Sequence, residues 1–358
     1  MNSRERVNTA LSRGIPDRVP MDVSWGFTPT FYEKFKKITG KTDYEDYFGI
    51  DTRLIFFNET RNQNNYDRYF ESREGLEGLY YNEWGIGHLK GRDETLHFEH
   101  LVAPLKYAES VGDILDYPLP DFIEDYRVHD LGKKVEEVGK RGIAACAPLA
   151  CTLFETAWQI RGFEELTTDM LDNPELVECL LDRLLQLRIR QAVLYAEAGV
   201  DVLMLGDDVA MQTGMLISPR EWRKWLKPRM AQIISAARAV NPKIHVFYHS
   251  DGNPMEIIDE LADIGINVLN PVQPECVDPA EIKRLYGNKL AFWGTIGVQS
   301  TLPFGTPGDV RREVKLRMET IGRDGGLLIG PAHMIEPEVP WENLVAMMEA
   351  IDEYGWYR

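Results

Sequence analysis

The chain of 358 residues carries 57 acidic against 40 basic side chains, a formal net charge of −17, and 44% of its residues are hydrophobic. That charge repels phosphate backbones and anionic lipid, and no long Lys/Arg run offsets it, which argues against nucleic acid and membranes as partners. Four cysteines without a Cys-x-x-Cys pair are too sparse for a disulfide framework. With no apolar run near about eighteen residues and none behind the first residues, a cytoplasmic protein with reduced thiols is expected.

Ser3 to Leu11 reads as a short amphipathic helix capped by Ser3 and ended by Gly14 and Pro16. Val19 to Gly26 alternates like a first strand, a helix follows near Thr30 to Ile38, and Asp51 to Phe57 reads as a second, buried strand. From Asn58 to about His100 the composition turns to Asn, Tyr, Arg and Gly. This region, near residues 58–100, reads as an insertion of loops and a hairpin of the kind that covers active sites. Ser110 caps a short helix, and a charged helix runs from Asp130 to Arg141.

From Ile143 the pattern is regular. Strands are expected at Ile143–Leu149, Val202–Gly206, Ile244–His249, Ile266–Val272, Leu290–Gly294 and Leu327–Gly330. Between them lie helical patterns at Pro174–Ala198, Pro219–Val240, Pro254–Ile264, Pro279–Tyr286 and Pro307–Ile321. Each opens on a proline preceded by Asn, Ser, Asp or Thr, an N-cap side chain followed by the residue that has no N–H to leave unpaired. A helix from Trp341 to Tyr354 closes the chain. Eight strands alternating with helices, without a Gly-x-Gly-x-x-Gly turn, predict one α/β domain over residues 1–358, a (β/α)8 TIM barrel with an N-terminal extension.

In such a barrel the chemistry gathers at the C-terminal strand ends. His249 and Asp251 lie two apart, hence on one face where their strand gives out, a spacing for metal ligands or an acid–base pair. The plain alternative is a core histidine bonded to a carbonyl, followed by an Asp-Gly turn. Asp207 and Asp208 end the Val202 strand and point to opposite sides, so at most one aims into the mouth while the other caps the next turn. Asn270, Gln273, Glu275 and Cys276 follow the Ile266 strand, Trp293 ends the next, and His333 follows the last. Cys276 as a thiolate can complete a zinc site with His249 and one of His333, Asp251 or Glu275, because zinc takes sulfur, nitrogen and oxygen donors. Its alternative is a buried, inert thiol. Trp25, Trp84 and Trp293, with Asn270 and Gln273, are the expected lining for a small-molecule substrate, and Cys146, Cys151 and Cys179 are read as core.

The order of these motifs resembles the uroporphyrinogen decarboxylase superfamily. The residues that carry it are Arg4-Glu-Arg-Val7, Pro16-Asp-Arg-Val-Pro20, Gly206-Asp-Asp208, His249-Ser-Asp-Gly252, Asn270-Pro-Val-Gln-Pro274, Phe292-Trp-Gly294, and Gly330-Pro-Ala-His333 through Pro340-Trp-Glu-Asn343. The resemblance spans nearly the whole chain and implies a TIM barrel with its cleft at the C-terminal face. It implies one of two activities: cofactor-free decarboxylation of a tetrapyrrole, or zinc-dependent methyl transfer between a methyl donor or coenzyme thiol and a corrinoid (cobalamin-type) protein. Where the decarboxylases carry an Arg-Gln-Ala-Gly-Arg-Tyr segment for substrate carboxylates, this chain has Asp22-Val-Ser-Trp-Gly-Phe-Thr28, with no arginine. It therefore looks closer to the corrinoid-dependent, methyltransferase-like branch.

That branch carries a His-x-Cys pair plus a late Cys as zinc ligands; here His249 stays, and Asp251 and His333 stand at the cysteine positions. A harder site of this kind suits zinc polarising a methyl ether or similar donor better than it suits a thiol acceptor. Asp207, Asp208 or Asp251 then serves as acid or orienting group. Two further readings use the same residues. One is metal-free decarboxylation or lyase chemistry on a tetrapyrrole-like or small carboxylated substrate, with His249 and His333 carrying protons; the other is a non-catalytic tetrapyrrole-binding module that needs only the aromatic lining. The superfamily also includes homodimers.

Overall fold

The computed structural model describes residues 1–23, 25–71, 74–90 and 99–357; parts of the expected insertion, 72–73 and 91–98, lie outside the described residues. In chain order the strands are Thr52–Leu54 (β1), Tyr80–Tyr81 (β2), Gly87–Leu89 (β3), His100–Val102 (β4), Ala144–Ala150 (β5), Val202–Gly206 (β6), Ala210–Met211 (β7), Gly214–Met215 (β8), His245–His249 (β9), Val268–Asn270 (β10), Ala291–Ile296 (β11) and Leu327–Pro331 (β12). Seven of them, in the order β1-β5-β6-β9-β10-β11-β12, form one curled sheet in which every pairing is parallel. Helices connect them, the longest over Pro174–Ala198.

Side chains alternate across the sheet. Cys146, Met204, Phe247, Val268, Trp293 and Leu328 pack together inside the curl, while the opposite faces of the strands join the helices in a second, larger core. Val7 and Leu11 of the N-terminal helix, Ser3–Leu11, belong to the inner cluster. That helix lies across the N-terminal strand ends, where Arg4 N–H donates to the Gly142 carbonyl at 2.6 Å and Asn8 Nδ2 to Asp201 at 3.0 Å. Its cap is Asn2 rather than Ser3, in a reciprocal box with Glu5.

The first expected strand, Val19 to Gly26, is not a strand. It makes one parallel bridge, Met21 beside Ile329. Pro20 has no N–H to donate, and Trp25 and Gly26 take left-handed φ angles of 61° and 84° that turn the chain aside. The segment still lies between the two edges of the sheet: Ile329 N–H donates to the Pro20 carbonyl, Asp22 N–H to Ile329, and Asp51 N–H to Met21. Asp51, fully buried, ties the same region together, with Arg6 Nη1 at 2.9 Å, Arg18 Nη1 at 2.8 Å and Met21 N–H at 2.9 Å.

Other expectations shift for local reasons. Three of the five proline-led helices have the predicted side-chain cap, from Ser218, Asp278 and Thr306, whereas Asn173 makes none and Asn253 bonds Met255 N–H ahead of a short 3-10 turn. The long helix expected from Pro219 breaks at Leu226 into Pro219–Trp225 and Lys227–Val240, because Pro228 cannot donate to the preceding turn. The insertion contains a three-stranded antiparallel sheet, β2-β3-β4, rather than a lone hairpin. No described helix is long and apolar enough to cross a membrane, and all four cysteines are free.

His245, at the start of β9, shows how strictly this interior is specified. Asn267 Oδ1 accepts the Val246 N–H, so its Nδ2 donates to His245 Nδ1 at 2.9 Å, which requires an unprotonated Nδ1. Burial holds the imidazole down to about 4 from its ordinary 6.5. An unfolded chain binds the proton first, so this contribution is complete above pH 6.5 and is lost as pH falls towards 4, on the order of 3 kcal/mol. The stability difference between wild type and His245→Gln, from urea unfolding, is expected to narrow between pH 7 and 4.5; a constant difference contradicts the assignment.

Candidate metal and active site

The parallel register sets the site. Ala150, Gly206, His249 and Asn270 are paired in one row at the C-terminal ends of β5, β6, β9 and β10. Phe247 lies inside the curl, so His249, two residues on, points to the same interior at the mouth. Gly206 makes room for it, since a Cβ there would stand 2.8 Å from the His249 Cβ.

Asn270 fixes the imidazole. Its Nδ2 donates to the Trp293 carbonyl at 3.0 Å, which leaves Oδ1 facing His249 Nδ1 at 2.6 Å. Nδ1 therefore carries the hydrogen and Nε2 presents its lone pair to the mouth. Nε2 lies 3.7 Å from both Asp208 Oδ1 and Asp251 Oδ1. Burial works against a charged ring, but Asp251, Asp208 and the Asn270 bond outweigh it and lift the His249 pKa above the ordinary value.

His249, Asp251 and His333 come together: one ligand atom from each lies within 4.8 Å of the others. Asp251 is held by its N–H, which donates to Asp208 Oδ1 at 2.8 Å, and by the next residue, Gly252, whose N–H donates to buried Gln273 at 3.1 Å. Gly252 has φ +87° and approaches the Met211 carbonyl so closely that a Cβ would sit 2.5 Å from it, so only glycine fits. His333 enters after β12, its ring centroid 5.9 Å from that of His249, and Trp25 stands edge-on to His249 at 5.4 Å.

The remaining expected site residues sit elsewhere. Asp207 is wholly buried, and its carboxylate accepts the Leu153 and Glu155 N–H groups that open the helix Phe154–Arg161. Burial pushes its pKa up to about 7 against those hydrogen bonds. It is the cap, and Asp208 is the one that faces the histidine. Cys276 and Glu275 are outside the ligand cluster. They lie on a turn closed by the Gln273 carbonyl, and Glu275 Oε1 is taken by Gln299 N–H and the Ser300 hydroxyl. Trp293 is buried in the inner core against Phe247, its Nε1 donating to Asp22 at 3.1 Å. Gln273 supports the Asp251 turn rather than lining the mouth. Trp84 stands over the other side of the mouth, its ring 4.8 Å from the Arg188 guanidinium.

Two residues were not singled out from the sequence. Glu155 Oε2 accepts the Asp208 N–H at 3.0 Å, and burial together with Asp208 and Asp207 pushes its carboxyl up to about 8. Arg188 is buried beside Cys151, which is not core but half-buried at the end of β5 with φ +53°. No local signal marks either, since both depend on partners far along the chain.

The chain is similar to several known proteins. Methylcobamide:CoM methyltransferase MtaA of Methanosarcina barkeri is 30% identical over 180 residues, 49% of each chain. Uroporphyrinogen decarboxylase of Legionella pneumophila is 26% identical over 205 residues, 57% of this chain and 55% of that protein. The chain thus spans about half the length of the curated relatives it matches. A solved methyltransferase from Methanosarcina mazei shares the fold over 99% of both chains, with a TM-score of 0.69 at 19% identity. Residues 132–354, well over half the chain and the stretch in which His249, Asp251 and His333 fall, match the uroporphyrinogen decarboxylase (URO-D) family, and the chain belongs to that family.

Proposed function

We propose that the protein is a methyltransferase in which His249, Asp251 and His333 hold zinc at the mouth of a closed barrel. It passes a methyl group from a small methylated donor, such as a methyl ether, to a corrinoid carried by a partner protein. The observation that carries this is the convergence of the three donor atoms within 4.8 Å, with Asn270 holding the His249 Nε2 lone pair towards them. The segment Pro20–Asp22 supports closure, since it bonds to β12 on one side and Asp51 on the other and so serves as the eighth staves' worth of backbone.

Two imidazoles and a carboxylate are a donor set that fits zinc, and they lack the soft thiolate that would favour a thiol ligand. Bound there, zinc supplies a Lewis acid that draws electron density from the donor's oxygen. The chain's own groups do the rest: Asn270 fixes the His249 tautomer, Asp208 holds the Asp251 backbone, and Trp25 shields one edge of the imidazole. The methylcobamide:CoM methyltransferase relative, whose name gives a methylated corrinoid as methyl donor, supports a corrinoid partner in methyl transfer, with the direction reversed here. Elemental analysis of tag-free protein is expected to give about one zinc per chain, lost in His333→Ala, as a single three-residue site requires. The raised pKa of His249 favours one second reading, metal-free proton transfer to a carboxylated substrate. Protein that takes up no metal and works in the presence of chelator would sustain that reading and end the first.

A further inference from the structure

On the far side of the same mouth from His249 lies a cavity of about 360 Å³, within the range of small-ligand sites. Its floor includes Ala150, which shares the register row with His249 across one intervening strand, roughly 10 Å at the usual strand spacing. Five of its lining residues are aromatic: Phe56, Phe57, Trp84, Phe122 and Tyr195. Trp84 is held in place by its own N–H on Asn82 and by its carbonyl, which accepts the Tyr117 hydroxyl.

Arg188 also lines this cavity, and its surroundings are unusual for a buried guanidinium. Its Nε donates to the Thr152 carbonyl, Nη1 to Gln191 Oε1, and Nη2 to the Cys151 carbonyl and the Thr156 hydroxyl. Every one of these partners is neutral. The group has five N–H donors and four are used, so one on Nη1 is left over among the described residues. A buried cation normally has a carboxylate partner, because desolvation without one is costly. Arg127, in the same cavity, already has such a partner in Glu83 at 3.0 Å. Arg188 has no carboxylate at ion-pair distance among the described residues: Asp207 and Glu83 act on it only from farther away, its guanidinium lies over the Trp84 ring, and the space beside it is ligand-sized.

We propose that this cavity is the donor pocket and that it takes a planar aromatic ring carrying a carboxylate, with Arg188 as the anion's partner and the aromatic walls enclosing the ring. On the methyl-transfer reading the transferable group is then an aromatic methyl ether, a methoxybenzoate: anchored at Arg188, the ring spans the row from Ala150 towards Gly206 and turns its ether to His249. The ring and the carboxylate rest on the cavity alone.

Calorimetric titration of metal-free wild-type protein separates these elements without any variant. 4-Methoxybenzoate is expected to bind, while methoxybenzene, which lacks the charge, and cyclohexanecarboxylate, which lacks the flat ring, each bind about tenfold more weakly or less. Equal binding of methoxybenzene removes the role of Arg188, equal binding of cyclohexanecarboxylate removes that of the aromatic walls, and no binding of the acid at about 10 mM overturns the proposal outright. Trp84→Leu, checked for an unchanged melting temperature, should weaken the acid several-fold, and an unaltered affinity counts against the pocket. Zinc absent from wild type with acid binding intact would sink the methyl-transfer reading alone, whereas zinc present with no acid binding would sink this one alone.

Discussion

Replacing His249 with alanine is expected to lower methyl transfer by about a thousandfold or more and to abolish stoichiometric zinc, since it removes one of the three donors proposed for the metal. The neighbouring Asn270→Ala leaves all three donors in place but frees the imidazole to rotate and change tautomer, for a loss of about 10- to 100-fold in zinc affinity. Zinc titration against a competing chelator gives both affinities, and transfer to an added corrinoid protein gives the rates. The order of the two variants is the test. Asn270→Ala as severe as His249→Ala would mean that Asn270 is itself a ligand, and His249→Ala with full zinc would remove the site from this strand end altogether.

Asp51→Ala is expected to destabilise the protein by about 3–5 kcal/mol, the range for removing one partner from a buried ion pair. Asp51 is entirely enclosed and receives Arg6, Arg18 and the Met21 N–H, so truncation leaves Arg18 without this carboxylate, Arg6 with Asp17 as its remaining carboxylate, and one amide unpaired in the same volume. The site is also where the N-terminal helix, the Pro20–Asp22 segment and β1 meet, so the loss should open the sheet at that edge. Urea unfolding monitored by tryptophan fluorescence reads the change directly; a shift below about 1 kcal/mol would mean that both arginines find water instead.

Local chemistry made much of the fold readable. The strands from Val202 onward and the helices Pro174–Ala198, Pro279–Tyr286 and Trp341–Tyr354 lie where hydrophobic period and N1 proline put them. His249, Asp251 and His333 were legible as strand-end residues, and the curl of the parallel sheet brings their atoms together. What stayed hidden depends on distant partners. The helix Phe154–Arg161 has no cap of its own in sequence; its cap is Asp207, more than fifty residues on. Asn270 was visible as a strand-end residue, but its hold on His249 follows only from the β9–β10 register. Trp293 was visible near a strand end, but β11 runs on to Ile296, and its burial against Phe247 follows only from the packing inside the curl. Cys276 looked close to the opening in sequence, and the turn at Gln273 carries it away from the cluster.

Part of the mouth comes from a different stretch of the chain. His249, Asp251 and His333, with Arg188 and Tyr195 of the cavity, all lie within residues 132–354, the part that matches the family, whereas Phe56, Phe57, Trp84 and Phe122 precede it. Four of the aromatic walls are thus written in a passage of their own. An ancestor could revise that passage, lengthening or reshaping the β2-β3-β4 insertion, and acquire a new diet without disturbing a single residue of the ligand cluster. The same separation offers an engineer a place to graft.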